Sequence, residues 1–249
     1  MANAVHKGQD MIKYGCSVSQ EERIRLAKHF RFLELRDTFF QRIQAKTLSS
    51  WKKRNENNTR DGQALEYAIV ASMSITHPLS DPLQSRCQYK RNAAEDGGHF
   101  KLNDDSRRAM EHMLLAAEHL AAPWIVFRTP TSFRPTQQNR DLFAAFFDDI
   151  DPPRHTQFVW HPGGLWTPEL AHALSHRSNV HCALPDWTQI PLEKSLYLHI
   201  NSIAFPEKEL IEYLPKIPSE TTTHIAFSGK NKVRQARKLG LILDLLNDG

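Results

Sequence analysis

The run Trp124-Ile125-Val126-Phe127, followed at once by Arg128, is apolar at four consecutive positions. A strand with one wet face alternates apolar and polar residues, whereas a continuous apolar run is covered on both faces, as in a parallel sheet under helices. The flanks agree. Upstream, Met110, Met113, Leu114, Ala117, Leu120 and Ala121 recur at the spacing of one helix face. Downstream, residues 141–147 read as another helix. Helix, buried strand, helix is the repeating unit of a sheet built from right-handed crossovers.

The same alternation extends both ways along the chain. Strands are predicted over 12–15, 32–35, 67–71, 157–160, 180–184, 196–200 and 224–227, which with 124–127 makes eight. Helices are predicted over 20–29, 48–54, 168–175, 206–214 and 232–246. Ser19 and Glu22 stand at the spacing of a capping box at the start of the first, and Pro168 suits the first turn of the one it opens. Eight such units in 249 residues is the size of a (β/α)8 TIM-barrel-like single domain with parallel strands, spanning 1–249. A doubly wound open sheet is the competing architecture. It would carry a glycine-rich first turn, and Gly15-Cys16-Ser17-Val18-Ser19 has one glycine. Residues 78–105 lack apolar periodicity and read as a loop or lid insertion.

Composition removes several classes. No stretch approaches the roughly 18 apolar residues of a membrane span, and the mean hydropathy is -0.53. Met1 to Gln9 has no apolar core and reads as neither signal peptide nor anchor. The three cysteines, Cys16, Cys87 and Cys182, form no C-x-x-C pair, so a reduced, cytoplasmic protein is the expectation. Thirty-two Lys and Arg against 28 Asp and Glu leave a net charge of +4, and the pI is 9.0. That excess suits an anionic ligand or contact with nucleic acid.

In a TIM barrel the chemistry sits at the C-terminal ends of the strands. The residues there are polar and large: Glu34 and Arg36 at the second, His77 after the third and Arg128 after the fourth. His161 and Trp166 follow the fifth, His199 and Asn201 belong to the seventh, and Ser228 and Lys230 follow the eighth. No P-loop, G-x-S-x-G elbow or H-E-x-x-H motif is present to name a reaction.

The segments Phe32-Leu33-Glu34-Leu35-Arg36-Asp37-Thr38-Phe39-Phe40, Trp51, Ile75-Thr76-His77-Pro78, the run 126–133 ending in Pro130-Thr131-Ser132-Phe133, and Val159-Trp160-His161-Pro162-Gly163-Gly164-Leu165-Trp166 occur in a fixed order. Together they resemble domain-of-unknown-function family 72 across nearly the whole chain. The resemblance implies a TIM-barrel fold and a pocket, and it supplies no reaction, because the family's activity is not established. Glu34, Thr38 and His77 keep the family pattern. His161, Arg128, Leu184, the segment His199-Ile200-Asn201-Ser202 and the segment Phe227-Ser228-Gly229 depart from it, which makes this a diverged member with a rewritten C-terminal half of the pocket.

The leading functional expectation is therefore an anion-accepting pocket of hydrolase or lyase type. Glu34 and His77 form the acid–base pair, since carboxylate and imidazole together move a proton near neutral pH. Arg36 and Arg128, with Lys230, hold a phosphate or carboxylate, and His161, Trp166, His199 and Asn201 complete the lining. Three other readings stay open. In one, Glu34 and Arg36 pair simply as a structural bridge; in another, the barrel binds a ligand or partner without catalysis. In the third, the basic clusters at 52–54, 86–91 and 230–238 contact nucleic acid while Trp166 or Trp187 stacks on bases. No cofactor is expected, with a divalent metal as the lesser alternative: Glu34, His77, His161 and His199 are metal-ligand types, but the cations beside them would repel a metal ion.

Overall fold

The computed structural model describes residues 11–57, 64–89, 91, 97–189, 193–201 and 205–248. Eight strands, β1 (Ile12–Val18), β2 (Phe32–Leu35), β3 (Glu66–Val70), β4 (Trp124–Arg128), β5 (Gln157–His161), β6 (His181–Cys182), β7 (Ser195–Ile200) and β8 (Thr222–Phe227), form one sheet. Its order is β6-β5-β4-β3-β2-β1-β8-β7, and every pairing is parallel. The two edge strands meet where the His199 N–H donates to the Ala183 carbonyl at 3.1 Å. That bond turns the sheet into a barrel, and the open-sheet alternative falls with it.

Helices cover the outside. Gln20–Leu26 follows β1, Ala45–Asn57 follows β2, Asp104–Leu120 follows β3, Gln137–Asp148 follows β4, Pro168–Arg177 follows β5, Glu207–Tyr213 follows β7 and Lys232–Asp248 follows β8. The local signals that start them are satisfied as the sequence predicts. Ser19 and Glu22 form a reciprocal capping box, and Thr167 caps the helix whose first residue is Pro168. The β6–β7 connection differs, because its described residues contain no helix. A cavity of about 310 Å³ lies there, lined by His172, His181, Tyr213 and neighbours.

Strand alternation sorts side chains to two sides. Leu33, Leu35, Ile125 and Phe127 join the large core under the helices. Phe32, Ala68, Trp124, Val126, Val159, Ala183, Tyr197 and Ala226 fill the barrel interior, the packed centre that makes such a barrel a core and not a pore. Polar residues stand on both sides of that plug. At the N-terminal end, Glu66 takes Lys13 Nζ at 2.5 Å and His224 Nε2 at 2.7 Å, while Trp124 Nε1 donates to His224 Nδ1 at 2.9 Å.

The expected loop over 78–105 is more firmly held than its composition implies. Phe100 is fully buried among Phe143, Phe133 and Phe146, with ring centroids 5.0, 5.3 and 5.3 Å away. His99 and Phe100 donate their N–H groups to the Thr76 and Ile75 carbonyls. Gly98 has φ of 87°, and a side chain there would strike the His77 backbone at 2.4 Å, so only glycine lets the chain pass so closely. A single aromatic anchor has no period, so hydropathy patterning does not reveal it. Residues 90 and 92–96, at the centre of the expected lid, lie outside the described residues. Replacing Phe100 by Ala is predicted to cost about 3–5 kcal/mol, measured as a lower urea midpoint; a loss under about 1 kcal/mol would mean that the loop is held by something other than this ring.

Candidate functional site

Strand β2 carries Glu34 with its side chain inward, in register with Ser17 of β1 and Ala68 of β3. The carboxylate is fully buried, yet each oxygen is met. Arg128, the last residue of β4, sets Nη2 on Oε1 and also reaches Ser17 Oγ at 3.3 Å. Tyr197 donates its hydroxyl to Oε2 at 2.6 Å, and His199 Nδ1 lies 3.3 Å from the same oxygen. Beyond His199, its Nε2 is 3.0 Å from Ser228 Oγ. His161, paired with Arg128 in the β4–β5 register, packs at a tilt against His199 with 4.3 Å between ring centroids.

The electrostatics follow from burial and partners. Desolvation raises the Glu34 pKa, but Arg128, His199 and the hydrogen bonds outweigh it, so the group stays well below the usual carboxylate range. Burial lowers His199, helped by Arg128 and only partly opposed by Glu34. Burial, with His199 and Arg128 adjacent, holds His161 well below its ordinary value. Burial and the Glu34 charge push Tyr197 well above its own. At neutral pH the site therefore contains an ionised carboxylate, a neutral phenol and two neutral imidazoles. An ionised carboxylate only accepts, so the Nδ1 of His199 carries the proton and its Nε2 presents a lone pair to Ser228.

Of the residues expected at the mouth, the structure brings Glu34, Arg128, His161 and His199 together. His77 stands apart: its ring packs edge-on to Phe39 at 4.9 Å, its Nδ1 is 2.8 Å from Thr76 Oγ1, and its carbonyl accepts from Arg91. The imidazole that meets Glu34 is that of His199 and not, as expected, that of His77. β3 ends at Val70, and a helical turn, Met73–Thr76, carries His77 away from the strand axis. Arg36 does not bridge to Glu34 either. It opens a 3-10 turn and its guanidinium lies 4.0 Å from Glu22, a carboxylate already bonded to Lys232 at 2.8 Å. Trp166 is buried, donating to the Phe133 carbonyl at 2.6 Å, and so lines no mouth. Asn201 is exposed at the end of β7, with its Oδ1 beside Gly229.

The metal-ligand types do not form a donor set, since His77 is elsewhere and both Glu34 oxygens already receive N–H or O–H donors. Burial pushes the Cys16 thiol up to about 12 and that of Cys182 to about 11, which leaves them inert as nucleophiles. Of the aromatic rings wanted for base stacking, Trp166 is buried against Phe133, and half-buried Trp187 makes an edge contact with Tyr213. Lys52 and Lys53 line a separate cleft with Leu115 and His119. Sequence reasoning does not single out Tyr197 and Ser17. Alternation along Leu196-Tyr197-Leu198-His199 puts Tyr197 on the face of His199, and that is the available signal.

No family model and no curated protein matches the chain by sequence. Solved structures match its fold. Two structures of a DUF72 family protein from Enterococcus faecalis V583 superpose with TM-scores of 0.57 and 0.59 at 9% and 10% identity. The first match covers 96% of both chains, the second 94% of this chain and 98% of the other. The fold is that of DUF72. Endonuclease IV from Thermus thermophilus matches at a TM-score of 0.49, with 11% identity over 95% of this chain and all of that one. Among the described residues no helix is long and apolar enough to cross a membrane.

Two predictions arise from this site on a DUF72-like fold. Arg128→Met strands a buried charge and is expected to cost about 3–5 kcal/mol, most of it regained in the Glu34→Gln, Arg128→Met double variant; a chemical-denaturation cycle showing simple additivity would contradict the coupling. Buried histidines that must stay neutral make the unfolded state bind more protons below its pKa. His77 illustrates this, lowered from 6.5 to about 4 by burial. Its contribution is complete above pH 6.5 and is lost as the pH falls toward 4, up to about 3 kcal/mol. His77→Leu should flatten the stability profile across that window, and an unchanged slope counts against the assignment.

Proposed function

We propose that this chain is a diverged member of DUF72 whose C-terminal mouth is an enzyme site of hydrolase or lyase type for a small substrate bearing a carboxylate or phosphate. The observation that carries the reading is His199 held between Glu34 and Ser228, 3.3 Å from the carboxylate and 3.0 Å from the hydroxyl. An imidazole that is neutral, oriented and backed by a carboxylate is built to take and return a proton. Glu34 fixes the tautomer and balances the imidazolium that forms. Arg128 keeps Glu34 ionised and is occupied in doing so, which moves anion binding outward to the rim.

The rim supports that placement. Glu22 is shared between Arg36 and Lys232, one carboxylate between two cations. Lys230 stands exposed on the turn after β8, in the region where TIM barrels frequently bind phosphate. Half-buried His161 and exposed Asn201 add uncharged hydrogen-bonding groups.

Inorganic phosphate and succinate should each raise the melting temperature of the protein above its value in chloride of equal ionic strength. Each kcal/mol of binding corresponds to about 2–4 °C at this size. The Arg36→Ala, Lys230→Ala double variant should lose most of the shift while keeping its melting point in chloride. Equal shifts in both proteins, or none beyond chloride in the unmodified chain, would refute the anion site.

A further inference from the structure

We propose that Ser228 is a nucleophile, activated by His199 and Glu34 for attack on carboxylic esters. This deepens the reading above, on which it rests for the proton-handling pair. Ser228 Oγ lies 3.0 Å from His199 Nε2, and His199 Nδ1 lies 3.3 Å from Glu34 Oε2. Hydroxyl, imidazole and carboxylate thus stand in line, with roles set by chemistry and not by sequence order.

The placement of Ser228 suits a nucleophile at the edge of the barrel. It directly follows β8, and its N–H donates to the Ile200 carbonyl at 3.1 Å, which extends the β7–β8 ladder by one residue. Alternation from His224 and Ala226 turns its side chain inward, toward His199. Gly229, with φ of 91°, then bends the chain sharply into the helix Lys232–Asp248. Ser228 itself is half-buried, at the boundary of barrel and solvent.

The opposite end of the barrel offers a built-in contrast. There His224 also meets a carboxylate, Glu66, at 2.7 Å through Nε2. Its other nitrogen, however, accepts from Trp124 Nε1 at 2.9 Å. That lone pair is used, so the His224 imidazole has no acceptor left for a substrate proton. At the C-terminal end the third partner is a hydroxyl, a group that can yield its proton and form a bond.

The step balances without a further reactant. Ser228 Oγ bonds to the ester carbonyl carbon as its proton passes to His199 Nε2, and the carbonyl π pair moves to oxygen. That pair returns as the C–O bond to the alkoxy group breaks, and the leaving oxygen takes the proton from His199 and departs as an alcohol. Water then attacks the acyl carbon, giving a proton to His199. The bond to Ser228 breaks, the proton returns to Oγ, and a carboxylic acid is released. His161, whose ring centroid lies 4.3 Å from that of His199, is the nearest uncharged candidate to donate to the tetrahedral oxygen. Glu34 acts through His199 as a positioning residue.

The experiment uses the full chain with diisopropyl fluorophosphate and p-nitrophenyl acetate. The expected result is a covalent adduct on the peptide containing Ser228, absent in Ser228→Ala, and a loss of ester hydrolysis of about 10³-fold or more in that variant. His199→Gln should slow labelling to a similar degree. Glu34→Gln should lower kcat with little change in KM and move the acidic limb of the pH profile to lower pH, because the carboxylate no longer raises the His199 pKa; rescue by Glu34→Asp would mark the carboxylate as the cause. An adduct only at other residues, or hydrolysis unchanged in Ser228→Ala, overturns the nucleophile. If phosphate still raises the melting temperature in that case, the anion-binding mouth stands without it. If phosphate has no effect either, both readings fall together.

Discussion

A carboxylate without access to water lies inside this barrel, and the C-terminal mouth is organised around keeping it ionised. Removing a charge from water costs several kcal/mol even after relaxation. Glu34 on β2 recovers that through Arg128 on β4 and through Tyr197 and His199 on β7. These strands are not neighbours of β2 in the sheet, so the contacts run across the lumen. They act as a cross-brace. A slip of β2 by one residue would turn Glu34 into the apolar layer beneath the helices, where nothing would neutralise it. The charge thereby specifies register as well as chemistry.

Strand cores were legible because each is a short apolar run between turn signals. The segment 32–35 is the clearest, coinciding with β2 as observed. Ends were less legible. β6 shrinks to His181–Cys182, though the apolar run there is longer, because the sheet needs only enough pairing to close. Arg128 and His199 were legible as sharing a mouth with Glu34, but their direct pairing with it, and the part of Tyr197, were not. Arg128 is 94 residues away and Tyr197 is 163 away, and a linear pattern conveys which residues end strands but not which of them face each other across a barrel. His77 misleads for a related reason: in the sequence it looks like a strand end, while the helical turn before it redirects the chain. Trp166 misleads because the Pro162-Gly163-Gly164 turn folds the segment back over the outside.

The apolar plug between the two polar ends has its own role. Phe32, Trp124, Tyr197 and their neighbours separate Glu34 from the network of Lys13, Glu66 and His224. Tyr197 belongs to both layers, its ring in the plug and its hydroxyl on Glu34, as an amphipathic aromatic can. A low-dielectric floor beneath Glu34 strengthens every interaction above it. The two ends can therefore differ in purpose, one closed by a tryptophan and one bordered by half-buried Ser228, on either side of one packed interior.

The barrel closes where β7 meets the chain just after β6, through the bond from the His199 N–H to the Ala183 carbonyl. Beside it β6 is two residues long, and the described part of the connection to β7 provides no helical cover. Native proteins open locally where few buried contacts resist, and this junction has the attributes of such a place. The imidazole of the proposed site is carried on the junction itself. Any breathing of the seam then changes the spacing between His199 and a Glu34 anchored on the far wall, so the proposed proton transfer and the integrity of barrel closure would be two readouts of one local equilibrium.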